Sequence, residues 1–227
     1  RQMCIRDRII PGLRYLDCVS GACVYDLKEK KTLYFQALDP GIVKKLMEFG
    51  MEEGAMIHVL SERSIVQKDQ QSHMADFHMG IYQTMFDQIT DKLENIYNSF
   101  CEEPFPVLKL NLYHRDEASR ARTVERIKAA GLETALALAE STSLECSAKG
   151  IDKGVGLKKL CEHLGLPLEQ TIAVGDADND TMALKTAGLA VAMGNATEPI
   201  KALADVIVAD CDNNGCAEAI DKYLLAD

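Results

Sequence analysis

The sequence lacks the features of several protein classes. It has no apolar run near the ~20 residues that span a bilayer and no secretory-signal pattern. Acidic residues exceed basic ones and the net charge is −10, which argues against a nucleic-acid or anionic-membrane partner. None of the eight cysteines forms a C-x-x-C pair, which disfavours a zinc site and favours reduced thiols. We therefore expect a cytoplasmic protein.

The final third of the sequence alternates between helical and strand patterns. Residues 154–164 have helical apolar spacing and end at Gly165. Short apolar runs at 171–174, 189–193 and 206–208 are separated by helix-length segments. Strands joined by helical crossovers form parallel sheets, so this region predicts a Rossmann-like α/β core.

The middle of the sequence has a different pattern. Residues 19–36 read as a hairpin, and Asp39 followed by proline opens a helix. Residues 107–113 alternate, with Lys109 and Asn111 on one face, which predicts an antiparallel strand with a solvated face. We predict a core from residues 9–22 and 145–227, interrupted by an inserted α+β domain over residues 23–144.

The first eight residues, RQMCIRDR, are polar and lead into no periodic pattern. They resemble translated sequencing adapter, so we exclude residues 1–8 from the fold. On this interpretation we expect the chain to be truncated at its N-terminus.

An acidic loop, GDADND, follows the strand pattern at 171–174. Asp176 stands at the carboxyl end of the predicted strand, where open α/β sheets bind ligands, and Gly175 permits a sharp turn there. A helix cap explains one aspartate but not three. Mg²⁺ beside a phosphate fits the loop best, because that ion uses one or two carboxylates together with water and phosphate oxygens.

Two other interpretations of the acidic loop fit less well. A calcium loop needs glycine and glutamate where Thr181 and Ala187 stand. A D-x-D-x-T nucleophile motif fails because its fifth position is Met182.

Lys153 lies at the start of the helix before the acidic loop. A helix N-terminus presents free amides and positive potential to a phosphate, and a lysine adds a charge. A solvated surface lysine is the competing interpretation. The position of Lys153 one strand before the acidic loop favours a functional role.

The ordered series K-G, G-D-x-x-N-D, A-G-x-x-V-A-M-G-N-A and A-D resembles the C-terminal half of Cof-type (class IIB) phosphatases of the haloacid dehalogenase superfamily. VSGACVYD resembles the family's exit into its cap domain, with Ser20 where asparagine is usual. The resemblance implies the family's α/β core with an inserted α+β cap, and hydrolysis of small phosphate monoesters, such as sugar phosphates or phosphorylated cofactors, through an aspartyl-phosphate.

The resemblance also implies roles for individual residues. Asp176 would bind Mg²⁺, and Asp180 would support the loop or the metal's water shell. Asn179 would hydrogen-bond the phosphoryl group, and Lys153 would neutralise charge on the nucleophile and phosphate. Asp178 stands at a variable position. We expect a monomer or weak homodimer.

The family's nucleophile motif, D-x-D-G-T, does not occur in the printed sequence, nor does its Ser/Thr phosphate-binding motif. The 227-residue chain is therefore predicted to be inactive by itself. Two alternatives stay open: a non-catalytic sugar-phosphate or nucleotide binder, and a phosphomutase-like relative. In the cap, His73, Asp76, Phe77 and His78 are candidates for substrate contact, although packing is favoured.

Overall fold

The computed structural model describes residues 12–225. The adapter-like segment 1–8 and residues 9–11 of the predicted core lie outside the described residues. The described residues form two compact units: residues 14–34 with 151–225, and residues 12–13 with 35–150. Residues 23–34 thus group with the C-terminal segment, and residues 145–150 group with the middle of the chain. The predicted bounds of the core, 9–22 with 145–227, and of the inserted domain, 23–144, stay predictions.

The N-terminal strands are β1 (Tyr15–Cys18), β2 (Cys23–Asp26) and β3 (Lys31–Phe35), in the order β1-β2-β3. The predicted hairpin is β2 and β3, with its turn between them. β1 pairs antiparallel with β2. Within the described residues it has no parallel partner, although the sequence predicts a core strand there.

The unit of residues 35–150 is built on a six-stranded sheet in the order β6-β5-β4-β7-β9-β8. Only the β5–β6 pair is parallel. Asp39 accepts hydrogen bonds from two amides of the first turn of the first helix, as its sequence predicts. The elements in chain order are α1 (Pro40–Glu52), β4 (Met56–Leu60), β5 (Ser64–Gln67), α2 (Lys68–Gln71), α3 (Gln83–Ile89), β6 (Asp91–Leu93), α4 (Ile96–Glu102), β7 (Lys109–Tyr113), α5 (Glu117–Ala129), β8 (Thr134–Ala139) and β9 (Ser143–Ala148).

The predicted solvated face of β7 is wrong. Lys109 and Asn111 are each only 6% exposed. Met74, Phe77, Met79 and Phe86 pack onto that side of the sheet, so short helical segments cover it. Alternating polar residues in a sequence do not show whether the polar face of the strand is exposed to water or buried in a polar part of the protein interior.

The C-terminal segment forms a parallel sheet in the order β10-β11-β12, as predicted. Ala192 of β11 is buried in one apolar cluster with Leu184, and Val191 is buried in a second apolar cluster with Met193. Neighbouring residues of β11 are therefore buried in different clusters, as in a parallel strand covered on both faces. No helix between residues 12 and 225 has the length and apolar character to cross a membrane. The elements are α6 (Lys153–Leu164), β10 (Ile172–Gly175), α7 (Thr181–Thr186), β11 (Leu189–Ala192), α8 (Glu198–Leu203), β12 (Val206–Ile207) and α9 (Gly215–Ala219).

Candidate active site

The acidic loop folds around the carboxylate of Asp180. Its Oδ2 accepts hydrogen bonds from the amides of Asp176, at 3.0 Å, and Ala177, at 3.2 Å. The residue is only 8% exposed. Asp180 therefore holds the turn that carries Asp176 beyond the end of β10.

Lys153 lies beside this loop, as the sequence predicts. Its Nζ donates to Asp180 Oδ1 at 2.5 Å. The side chain of Lys153 is 35% exposed and that of Asp180 11% exposed, so the ion pair is half-buried. The structure thus joins two predicted site residues that are 27 positions apart.

The start of α6 differs from the sequence-based expectation of free amides. Asp152 caps the helix, and its Oδ1 accepts hydrogen bonds from Gly154 and Val155 at 2.9 and 3.1 Å. Those amides are already occupied. The ammonium group of Lys153 is therefore the main attraction for an anion at this helix end.

Asp176 is exposed, and one of its carboxylate oxygens is bonded to a residue that sequence reasoning did not assign. Asn195 Nδ2 donates to Asp176 Oδ2 at 3.2 Å, and Asn195 Oδ1 accepts from the Cys211 amide at 3.0 Å. Asn195 thus links Asp176 to the loop after β12. Asn195 is the asparagine of the M-G-N-A stretch that contributes to the family resemblance, and this stretch could have identified it.

Asp178 and Asn179 are both exposed, and they lie in a one-turn 3₁₀ helix, Asp178–Asp180. Their exposure is compatible with the role predicted for Asn179 and with Asp178 as a solvated carboxylate. The assigned roles of both residues stay predictions.

Gly175 is required for space rather than for an unusual backbone angle. Gly175 is not one of the glycines with a positive φ among the described residues. A Cβ at this position would lie 2.5 Å from Asp180 Cβ. The close approach of β10 to the buried aspartate therefore replaces the sharp-turn argument made from sequence.

Burial and the charge of Lys153 act in opposite directions on the pKa values of Asp180 and Asp17. Burial disfavours the charged form of Asp180, but hydrogen bonds from Lys153 and the loop amides outweigh it and lower the pKa of this carboxyl. Burial raises the pKa of Asp17 to about 7 against the attraction of Lys153. Although Asp17 retains exposed surface, its carboxyl packs against Gly156, where an added Cβ would lie 2.1 Å from Oδ1.

Asp17, Lys153 and Asp180 line a cavity of about 300 Å³ that also borders β10. Among residues 12–225 no group of three or more His, Cys, Asp or Glu side chains could hold a metal ion. The exposed carboxylate of Asp176 fits a Mg²⁺ site that water and phosphate oxygens complete. Asp180 fits less well as a direct ligand, because both of its oxygens are already hydrogen-bonded.

The cap candidates make local contacts instead. Phe77 is 3% exposed in an apolar cluster. Asp76 pairs with Arg115 at 3.2 Å, and the imidazole of His78 hydrogen-bonds the Arg115 carbonyl at 2.9 Å. His73 Nδ1 lies 2.9 Å from the Asp69 carbonyl. Phe77 is therefore a core residue, whereas His73, Asp76 and His78 are exposed and substrate contact by these three stays a prediction.

A model of the haloacid dehalogenase-like hydrolase family matches residues 7–220. Phosphatase YwpJ of Bacillus subtilis is 46% identical over 83 residues, which are 37% of this chain and 29% of the relative. The 5-amino-6-(5-phospho-D-ribitylamino)uracil phosphatase YcsE of the same species is 36% identical over 118 residues, 52% of this chain and 47% of the relative. The matched segments thus span less than half of the length of either relative.

A solved structure of a haloacid dehalogenase-like hydrolase from B. subtilis superposes with a TM-score of 0.82 at 22% identity, covering 98% of this chain and 84% of that chain. At this identity the likeness shows the fold. The described architecture is therefore a known one.

Proposed function

The chain belongs to the haloacid dehalogenase-like hydrolase family, and from this premise we propose that it carries part of the site of a Mg²⁺-dependent phosphatase that acts on small phosphate monoesters. The printed sequence holds no D-x-D-G-T nucleophile motif. Lys153, Asp176 and Asp180 would form the metal- and phosphate-binding part of the site. The named phosphatase relatives support this substrate class.

The arrangement of Lys153 and Asp180 is the observation that carries the proposal. Their 2.5 Å ion pair lies at the carboxyl end of a parallel strand, the edge at which open α/β sheets bind ligands. A buried carboxylate fixes the lysine while a second, exposed carboxylate stands on the same turn. A purely structural ion pair would not require Asp176 to be exposed beside it.

Each residue has a distinct task in this proposal. Asp176 would hold Mg²⁺, which when bound offsets the repulsion between acidic groups and phosphate. Asp180 orients the loop and the lysine. Lys153 would place its ammonium group against a phosphate oxygen, and Asn179 would donate a hydrogen bond to the phosphoryl group.

Calorimetric titration of the 227-residue chain with inorganic phosphate, in the presence of Mg²⁺, tests the proposal. Lys153→Met should weaken phosphate binding at least tenfold, because a hydrogen bond to a charged group contributes about 1.5–3 kcal/mol. Lys149→Met is the control, since Lys149 forms an exposed pair with Glu133 at the same 2.5 Å distance. Equal phosphate affinity of Lys153→Met and wild type would refute the assignment.

A second candidate is a non-catalytic sugar-phosphate or nucleotide binder. It would use the same phosphate-binding residues without a nucleophile. Incubation with p-nitrophenyl phosphate and Mg²⁺ addresses the chemistry of this chain. We predict phosphate binding without turnover for residues 1–227; sustained turnover would show that another residue supplies the nucleophile.

A further inference from the structure

The covered face of the six-stranded sheet carries a row of polar side chains. His58 on β4, Asn111 on β7 and Glu145 on β9 are paired across adjacent strands, so their side chains share one face. The next position of the row is Ala137 on β8. This polar row lies beneath the short helical segments of residues 74–86.

The row is internally bonded except at one atom. His58 Nε2 is 2.8 Å from Ser64 Oγ, and its Nδ1 is 3.2 Å from the Tyr113 hydroxyl. Asn111 Nδ2 donates to the same hydroxyl at 3.1 Å. Asn111 Oδ1 is buried and has no partner within the described residues. A buried acceptor without a donor costs about 1–3 kcal/mol, so its presence here needs an explanation.

A cavity of about 200 Å³ opens over this row. Its walls combine acceptor groups from Glu140, Ser143 and Glu145 with the rings and thioethers of Tyr82, Phe86, Met79 and Met85. Glu140 accepts a hydrogen bond from the Tyr82 hydroxyl at 3.3 Å. The volume suits a ligand smaller than a typical drug.

The charge of the cavity selects against anions. None of the described residues that line it is lysine or arginine. Burial lowers the pKa of His58 to about 3, so its imidazole is neutral. Lys109 pairs with Glu145 at 2.5 Å. The Glu140 carboxylate accepts hydrogen bonds from the hydroxyls of Tyr82 and Ser143 and forms no ion pair within the described residues, since the nearby guanidinium of Arg120 donates to the Glu140 backbone carbonyl instead, at 3.3 Å. Consistent with that charge, the Glu140 carboxylate raises the pKa of Tyr82.

We propose that this cavity binds a small organic amine with an apolar or aromatic body. The ammonium group would pair with Glu140, and the rings and thioethers would enclose the body. Asn111 itself does not line the cavity, but the Tyr113 hydroxyl, which accepts a hydrogen bond from its amide group, belongs to a residue that does. This inference does not depend on phosphate chemistry or on Mg²⁺.

Benzylamine, benzyl alcohol and benzoate form a matched probe series of cation, neutral molecule and anion. Each is titrated into the full chain while the methyl resonances of Met79 and Met85 are followed by NMR. Benzylamine should bind most tightly and shift both methyl groups, and benzoate should not bind. Equal binding of benzoate, or an absence of shifts at both methionines, overturns the proposal.

Glu140→Gln should weaken benzylamine about tenfold, since a charged hydrogen bond becomes a neutral one. Glu62→Gln changes an exposed glutamate of the same unit and should have no effect. Unchanged melting temperatures establish that both variants are folded. Unaltered benzylamine affinity in folded Glu140→Gln also overturns the proposal.

Discussion

Replacing Lys153 by methionine tests whether the half-buried ion pair organises the acidic loop. Methionine keeps the apolar stem and removes the ammonium group. Exposed pairs contribute about 0–1 kcal/mol, whereas removing one partner of a buried pair costs about 3–5 kcal/mol. With side-chain exposures of 35% and 11% and two amide bonds left on Asp180, we expect a loss of about 2 kcal/mol at pH 7.

The loss should depend on pH with a defined sign. The pKa of Asp180 is lowered in the folded protein, so its stabilisation is present above the unfolded value of about 3.9. It disappears as the pH falls through the lower folded value. The deficit of Lys153→Met should therefore be full at pH 7 and shrink below about pH 4.

Urea unfolding followed by circular dichroism at pH 7 and pH 3 measures this deficit. Lys149→Met serves as the control because its pair with Glu133 has the same 2.5 Å distance but exposures of 68% and 72%. It should lose less than about 1 kcal/mol. The reasoning is refuted if the two variants lose equal stability at pH 7, or if the Lys153→Met deficit is unchanged at pH 3.

Three further predictions concern the same unit. The pKa of Asp17 is raised to about 7, so its contribution to the free energy of unfolding is present below about pH 3.9 and is lost as the pH rises through 7. Asp17→Asn should remove this loss of stability, measured by urea unfolding between pH 4 and 8. An unchanged dependence of stability on pH in Asp17→Asn would exclude the raised pKa. Gly175→Ala places a Cβ 2.5 Å from Asp180 and should cost about 1–3 kcal/mol; an unaltered melting temperature would contradict the steric argument. Ser20 has a φ of 56°, where asparagine is favoured, so Ser20→Asn should add about 0.5–1 kcal/mol, and a lower melting temperature would oppose this account.

Features that depend on local sequence could be predicted well. The runs at 171–174 and 189–193 form parallel strands because each is short, apolar and followed by a helix that covers it. Lys153 and Asp180 come together because the fold places a helix start beside a strand end. The preference for asparagine at position 20 also has a physical basis, since the backbone there is left-handed.

Features that depend on distant packing could not be predicted. Lys109 and Asn111 alternate like residues of a solvated face, but the segments that cover them come from residues 74–86. The role of Asn195 depends on two contacts, with Asp176 and with the Cys211 amide. Neither contact follows from spacing in the sequence.

We propose Asp176, and not its neighbour Asp178, as the metal-binding carboxylate. Calorimetric titration with Mg²⁺ in the presence of inorganic phosphate tests it directly in wild type, Asp176→Asn and Asp178→Asn. We expect Asp176→Asn to lose Mg²⁺ binding and Asp178→Asn to retain it. Undiminished binding in Asp176→Asn, or an equal loss in both variants, would refute the assignment of Asp176.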